Sequence, residues 1–233
     1  DLTTIAWEKG GIVKHEIPCL CTALDPAIRS VVTNRCTELD APLIEDGVDF
    51  NSSGGDRSWT GTFGNLGVGP LALSLPGEFQ QGNAALAVAT AQQLLGERLT
   101  PDIVTAGLQS AHWPGRFQMV RWRGRSLLLD GAHNPHALAS FLAAFRSRYN
   151  HRPDFLVALK AGKDVVEMAK LLASTGRWAV CTTTGTIPSV APEKIALHCG
   201  ELPTTVEPDL SAALDLLVSR EGNNVVVCCG SFY

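Results

Sequence analysis

The chain has 233 residues, 45% of them hydrophobic, and 19 basic against 23 acidic side chains give a formal net charge of −4. This is enough apolar material for one large or two modest cores, and without a basic stripe a nucleic-acid partner is not expected. No apolar run approaches the roughly eighteen residues that would mark a membrane span, so none is expected.

In chain order, the first half predicts a strand at 19–22, a helix over 27–39, a polar glycine-containing loop over 51–61 and a glycine-interrupted strand region over 63–74. The strongest helical pattern runs over 78–95 and stops at Gly96. A further helix starts with Thr100 as cap and Pro101 in its first turn, and ends near Ala111. A domain boundary is placed there, giving domains 1–112 and 113–233. Beyond it the pattern is regular. Strands at 117–122 and 126–130 form a hairpin about Arg123-Gly124-Arg125. Helices over 135–148, 164–174, 192–199 and 210–219 then alternate with strands at 154–160, 178–184, 204–206 and 223–229. Alternation of this kind implies a parallel sheet covered on both faces, so the second half is expected to be a Rossmann-like α/β domain.

Seven cysteines, an odd number without a Cys-x-x-Cys pair, argue against a zinc site or a secreted disulfide framework and suit a reducing cytoplasm. Cys19 and Cys21 share a Cys-x-Cys spacing. Cys228 and Cys229 are adjacent in an apolar strand, with side chains expected on opposite faces. All four are read as small buried hydrophobes. The chain begins at Asp1 rather than Met and ends inside a hydrophobic strand, which reads as a fragment.

The segment Leu127-Leu128-Leu129-Asp130-Gly131-Ala132-His133-Asn134-Pro135 is an apolar strand that ends on a carboxylate and breaks at once into a helix. Asn134 followed by Pro135 gives an N-cap with proline at the first helical position. Carboxyl ends of strands are where open α/β sheets hold ligands, which places Asp130, His133 and Asn134 where chemistry is usually found. The plainer alternative is a turn with a capping Asn and a surface His.

Asp-Gly-Ala-His-Asn-Pro resembles the signature of the folylpolyglutamate synthase/dihydrofolate synthase family, a branch of the Mur-type ATP-dependent amide ligases. Three further segments agree, in the family's order. Ile5-Ala6-Trp7-Glu8-Lys9-Gly10-Gly11-Ile12 is similar to its Trp-Glu-Lys-Ala-Gly-Ile segment, with Gly10 where Ala is usual. Glu78-Phe79-Gln80-Gln81-Gly82-Asn83 is similar to its His-Gln-x-x-Asn helix start, with Phe79 in place of His. Trp113-Pro114-Gly115-Arg116-Phe117 matches its Pro-Gly-Arg-Phe segment.

The resemblance implies the C-terminal portion of a Mur-ligase-type ATPase domain followed by a Rossmann-like glutamate-ligating domain. It implies ATP- and magnesium-dependent joining of L-glutamate to tetrahydrofolate, dihydropteroate or both, through an acyl phosphate, in a cytoplasmic and monomeric enzyme with small-molecule partners. It assigns ATP contacts to Asn83, Arg116 and Asp130, and a guanidinium fork suits bidentate contact with phosphate oxygens. Lys9 matches a lysine that in the family is carbamylated and so becomes an anion able to help hold magnesium. That reaction needs a neutral amine, and hence burial. By residue type alone Lys9 is an exposed lysine beside Glu8, Arg116 a solvated charge and Asn83 an ordinary helix-start position. His133 is a candidate to contact nucleotide or orient Asp130, with no base role set by spacing. His136 is expected on the exposed side of its helix. Lys163 is read as surface charge and Asp164 as a helix cap, with Gly162 where the family has Asp.

No Gly-x-x-x-x-Gly-Lys-Ser/Thr phosphate loop occurs in these residues. The resemblance puts that loop, and a magnesium-binding His, before Asp1. The alternatives are another Mur-type amino-acid ligase, and a catalytically inactive nucleotide-binding module that lacks the loop.

Overall fold

The computed structural model describes residues 1–22, 24–185, 188–220 and 224–231. They fall into two compact units, Asp1–Ala111 and His112–Tyr233.

In the first unit, α1 (Leu2–Gly10) is capped by Asp1, whose carboxylate accepts from the Thr4 amide at 2.8 Å. Strand β1 (Cys19–Cys21) leads to α2 (Pro26–Glu38), where Asp25 accepts from the Ala27 amide and Pro26 occupies the first turn. Strand β2 (Leu43–Glu45) then pairs parallel with β1. Three antiparallel strands follow: β3 (Phe50–Ser53), β4 (Trp59–Phe63) and β5 (Leu66–Leu71), with β4 in the middle. Helix α3 (Glu78–Leu95) stops at Gly96, and α4 (Pro101–Ser110) is capped by Thr100, both as expected.

The expected loop over 51–61 is corrected. Most of it is strand, and only 54–58 connect β3 to β4. Its serines and glycines conceal an alternation in which Trp59, Gly61 and Phe63 point inward. Gly61 is there for space, since a Cβ would sit 2.6 Å from the Phe63 ring and 2.8 Å from the Trp59 ring. Both rings close over it, and with Phe50, Val68 and Leu71 they pack on Ala85, Val88 and Ala89 of α3.

The second unit is an α/β sheet. The hairpin of β6 (Gln118–Trp122) and β7 (Arg125–Asp130) turns at Arg123 and Gly124, both in the left-handed region, as a two-residue turn between twisted strands requires. Helix and strand then alternate: α5 (Pro135–Arg146), β8 (Asp154–Ala158), α6 (Val165–Thr175), β9 (Trp178–Cys181), α7 (Pro192–His198), β10 (Thr204–Val206), α8 (Leu210–Ser219) and β11 (Val226–Gly230). Asn223, the expected start of the last strand, and the terminal Phe232 and Tyr233 lie outside the described residues.

Strand order is β10-β9-β8-β11-β7-β6, parallel throughout except for β6. Both faces are covered, unequally. Phe141 and Phe145 of α5, Met168 and Leu172 of α6 and Ile195 of α7 pack on Leu128, Phe155, Val157 and Val227. On the opposite face Ala213 and Leu217 of α8 meet Leu127, Leu156, Val180 and Val226. A strand buried on both sides reads as a continuous apolar run, which is why 154–160 was legible as sheet.

Cys228 and Cys229 face opposite sides, as the pleat requires. All seven cysteines are free. The reading of four of them as buried needs correction, because only Cys229 is buried, while Cys19, Cys21 and Cys228 are half-buried. The first two lie on a two-stranded ribbon, and Cys228 lines a cavity at the less covered face.

Two glycines make opposite predictions. Gly10 has helical φ and room for a methyl, the nearest atom to its Cβ being Arg35 Cγ at 3.6 Å. Gly10→Ala should therefore stabilise the protein by about 0.4–1 kcal/mol through the unfolded chain. Gly230 has φ +120° and a Cβ would lie 1.9 Å from the Ala158 carbonyl oxygen, so Gly230→Ala should be strongly destabilising. Denaturant midpoints of the two variants against wild type check both signs.

Candidate active site

The carboxyl end of β7 delivers Asp130, which is 5% exposed. Each of its oxygens accepts a backbone amide: Oδ1 from Ala132 and Oδ2 from Phe117, both at 2.9 Å. The first bond fixes the turn after β7. The second reaches across to the segment before β6. Two more bonds tighten this lacing, from the Gly131 amide to the Gly115 carbonyl at 3.0 Å and from the Gly115 amide to Gln118 Oε1 at 2.7 Å. Burial raises the Asp130 pKa above the usual value of 3.8, opposed by the Phe117 and Ala132 amides and by the nearby Arg116 charge.

Arg116 sits on the loop so formed. It is half-buried, and its guanidinium makes no hydrogen bond among the described residues. Its neighbour Phe117 has φ +47°, a left-handed conformation that non-glycine residues seldom adopt. The Phe117 ring packs on Phe141 with centroids 5.4 Å apart, and the Arg148 guanidinium lies 5.4 Å from the same ring. The backbone direction of Arg116 is thus set on one side by the Asp130 carboxylate and on the other by an aromatic contact.

After the turn, Asn134 caps α5, its Oδ1 accepting from the Ala137 amide at 2.8 Å with Pro135 behind it. His133 is half-buried, and its Nδ1 lies 2.8 Å from the Gly131 carbonyl oxygen. A carbonyl only accepts, so Nδ1 carries the proton and Nε2 of the neutral ring is left as an acceptor. His136 is exposed, and Asp164 caps α6 by accepting from the Glu167 amide at 3.1 Å, with Lys163 half-buried before it. Asp130 also borders a cavity of about 280 Å3 at the carboxyl ends of the central strands, with Thr182, Thr184, Ala158, Cys228 and Ser231 among its walls and no basic side chain among the described residues that line it. The Thr182 and Thr183 hydroxyls donate to the Pro208 carbonyl at 3.3 and 2.9 Å.

Arg116, Asp130 and His133 are therefore gathered at one sheet edge. Asn83 and Lys9 belong to the first unit. Asn83 is exposed on the first turns of α3, its Nδ2 donating to Gln80 Oε1 at 2.9 Å beside a cavity of about 130 Å3. Lys9 stands exposed in the last turn of α1, so the burial expected of it is absent from the described residues. Among those residues no three His, Cys, Asp or Glu side chains converge as a metal site. No described helix is long and apolar enough to cross a membrane.

Sequence reasoning missed Phe117 and the threonine wall. Nothing in a sequence marks a left-handed phenylalanine, whereas Cys181-Thr182-Thr183-Thr184-Gly185 at the end of an apolar strand was a legible signal.

The model of the Mur ligase glutamate ligase domain matches residues 115–232. The chain is 26% identical to folylpolyglutamate synthase of Lacticaseibacillus casei, over 100% of this chain and 55% of that protein. It is 29% identical to dihydrofolate synthase/folylpolyglutamate synthase of Escherichia coli, over 100% of this chain and 54% of that protein. The solved structure of E. coli FolC in complex with DHPP and ADP superposes with a TM-score of 0.84 at 26% identity, covering 100% of this chain and 54% of that one. The chain thus spans about half the length of the curated relatives it matches.

Because Asp130 is more readily protonated in the folded protein than its usual value of 3.8, its contribution to stability is fully present below that value and is lost as pH rises through the raised one. The stability difference between wild type and Asp130→Asn should accordingly shrink as pH rises across the carboxylate range, read from urea midpoints at a series of pH values. Asp130→Ala abandons both amides and should cost about 1–3 kcal/mol for each.

Proposed function

The chain belongs to the Mur ligase family, whose glutamate ligase domain spans residues 115–232, and on that premise we propose that it is part of an ATP-dependent ligase joining L-glutamate to tetrahydrofolate, dihydropteroate or both. In this reading residues 113–233 are the glutamate-ligating domain and residues 1–112 the C-terminal portion of the ATP-binding domain. ATP activates the acceptor carboxylate as an acyl phosphate, and the glutamate amine attacks it to form the amide with release of phosphate. The protein works in the cytoplasm, as a monomer, on small molecules.

The observation that carries the proposal is the half-buried Arg116, held without a hydrogen-bond partner among the described residues on a loop laced to Asp130. A guanidinium in that state is prepared for phosphate, which it grips through two parallel N–H bonds. Placement and charge stabilisation are what phosphoryl transfer demands of a protein. Asp130 has further acceptor capacity, since a carboxylate offers about four lone-pair sites and the two amides use two. It can hold its loop and still accept from a ribose hydroxyl. Asn83 presents the adjacent donor and acceptor that suit an adenine edge. His133 contacts the nucleotide or orients Asp130, with its Nδ1 engaged by the Gly131 carbonyl.

The magnesium reading fits these residues less well. Lys9 is exposed, and no three His, Cys, Asp or Glu side chains converge as a metal site among the described residues, so no step is assigned to the metal here.

The test is incorporation of radiolabelled glutamate by the protein at its full natural length, with ATP and a divalent cation, offering tetrahydrofolate and dihydropteroate in separate reactions. Incorporation into either supports the ligase and names its acceptor. Failure with both, from folded protein, overturns it. Arg116→Ala should lower turnover by about 10²-fold or more, on the scale of a lost transition-state donor. An unchanged rate removes Arg116 from the mechanism.

A further inference from the structure

The Cys-x-Cys pair of β1 has no part in the proposed ligation. Cys19 and Cys21 project from one side of the strand, because side chains two apart share a face. Leu20 between them packs the other way, against the cluster of Trp59 and Phe63. On the cysteine side the last turn of α2 brings up Cys36, buried with Val13 and Ala41, and Cys19 packs against that cluster. Cys19 and Cys36 therefore sit together in one small apolar cluster, between the start of β1 and the end of α2. The Cys21 thiol is directed elsewhere, towards the Ile44 carbonyl oxygen at 3.9 Å. A second pair, Cys181 and Cys199, likewise shares one cluster, but both residues are 0% exposed.

We propose that Cys19 and Cys36 are a redox modification site, which closes to a reversible disulfide when the protein meets a small-molecule disulfide such as oxidised glutathione. The Cys19 thiolate attacks one glutathione sulfur, forming a mixed disulfide and expelling one glutathione thiolate. The Cys36 thiolate then attacks the Cys19 sulfur and expels the second. Two protein thiols are oxidised, one glutathione disulfide is reduced to two thiols, and the two protein protons pass through solvent to the departing thiolates. Burial, and after it the neighbouring Cys19, push the Cys36 thiol up to about 11, so Cys36 does not begin the exchange. Solvent reaches the half-buried Cys19, and Cys36 resolves the mixed disulfide once it stands beside it. The bond staples α2 to β1 against Val13, in the turn that follows α1, the helix carrying Lys9. The Cys181 and Cys199 pair has the same proximity without the access, so it stays reduced in the folded protein.

The experiment exposes the native chain to oxidised glutathione, quenches with acid, alkylates the remaining thiols under denaturing conditions and maps the peptides by mass spectrometry. The expected result is a linked peptide pair containing Cys19 and Cys36, with the other five cysteines alkylated, and full recovery of seven thiols after dithiothreitol. Alkylation of both Cys19 and Cys36, a link from Cys36 to Cys21, or glutathione retained on Cys19 without a link overturns the proposal. In Cys36→Ser the glutathione adduct should instead accumulate on Cys19, and a Cys19 left unmodified in that folded variant overturns its role as the entry thiol. Because the mapping reads covalent linkage and not glutamate transfer, its outcome is separable from that of the ligase assay.

Discussion

One buried carboxylate organises the end of the sheet from which the proposed chemistry is drawn. Asp130 spans two segments that are neighbours only through the β6–β7 hairpin, holding the Phe117 amide with one oxygen and the Ala132 amide with the other. Moving an acidic group out of water costs free energy that two charge-assisted hydrogen bonds offset in part, and the raised pKa is the residue of that imbalance. The surrounding core supplies the margin. Leu128, Leu138, Phe141 and Phe145, all nearly inaccessible to solvent, hold β7 and α5 together on either side of the turn. The Asp130 carboxylate can then select a loop conformation without having to stabilise the domain.

The sheet explains why the site lies where it does. The chain moves outward from β7 through β8 and β9 to β10 with α5, α6 and α7 on one face, then returns along the other face through α8 to place β11 between β7 and β8. Strand carboxyl ends next to such a reversal are left uncovered by connecting helices, and ligands of open α/β sheets collect there. The single helix on the return face leaves Val120, Leu129 and Cys228 half-buried, and the cavity bordered by Asp130 opens beside two of them.

Much of the second unit was legible because its local signals agree with one another. Asn134-Pro135 and Asp164 are helix caps that accept from the expected amides, and the apolar runs between the helices are strands covered on both faces. Asp130 was legible as a strand-end carboxylate, but its two amide partners were not, since one lies 13 residues upstream and depends on the hairpin register. In the first unit the β3–β4 hairpin was hidden by composition. A strand that closes two large rings over a glycine has to carry that glycine, and in sequence such a residue looks like a turn. The Cys-x-Cys pair was misread for a related reason. Burial of a thiol depends on how many strands flank it, and a two-stranded ribbon flanks it poorly.

The two Asp–Arg combinations of this sheet show how the same residue types are put to different uses. At the amino end of β8, Asp154 is 1% exposed and takes both Nε and Nη2 of Arg177, at 2.9 and 2.5 Å. That pair is bidentate, and the hydrogen bonds to Asp154 are the first cause of the raised Arg177 pKa. At the carboxyl end of β7, Asp130 accepts its hydrogen bonds from backbone amides and leaves Arg116 near it, unbonded among the described residues. A sheet that already neutralises one buried carboxylate with a bidentate arginine had the means to neutralise the second. Arg116 instead has its backbone fixed through Asp130, Phe117 and Gly115, so that in the anion binding proposed above only its side chain remains to be ordered.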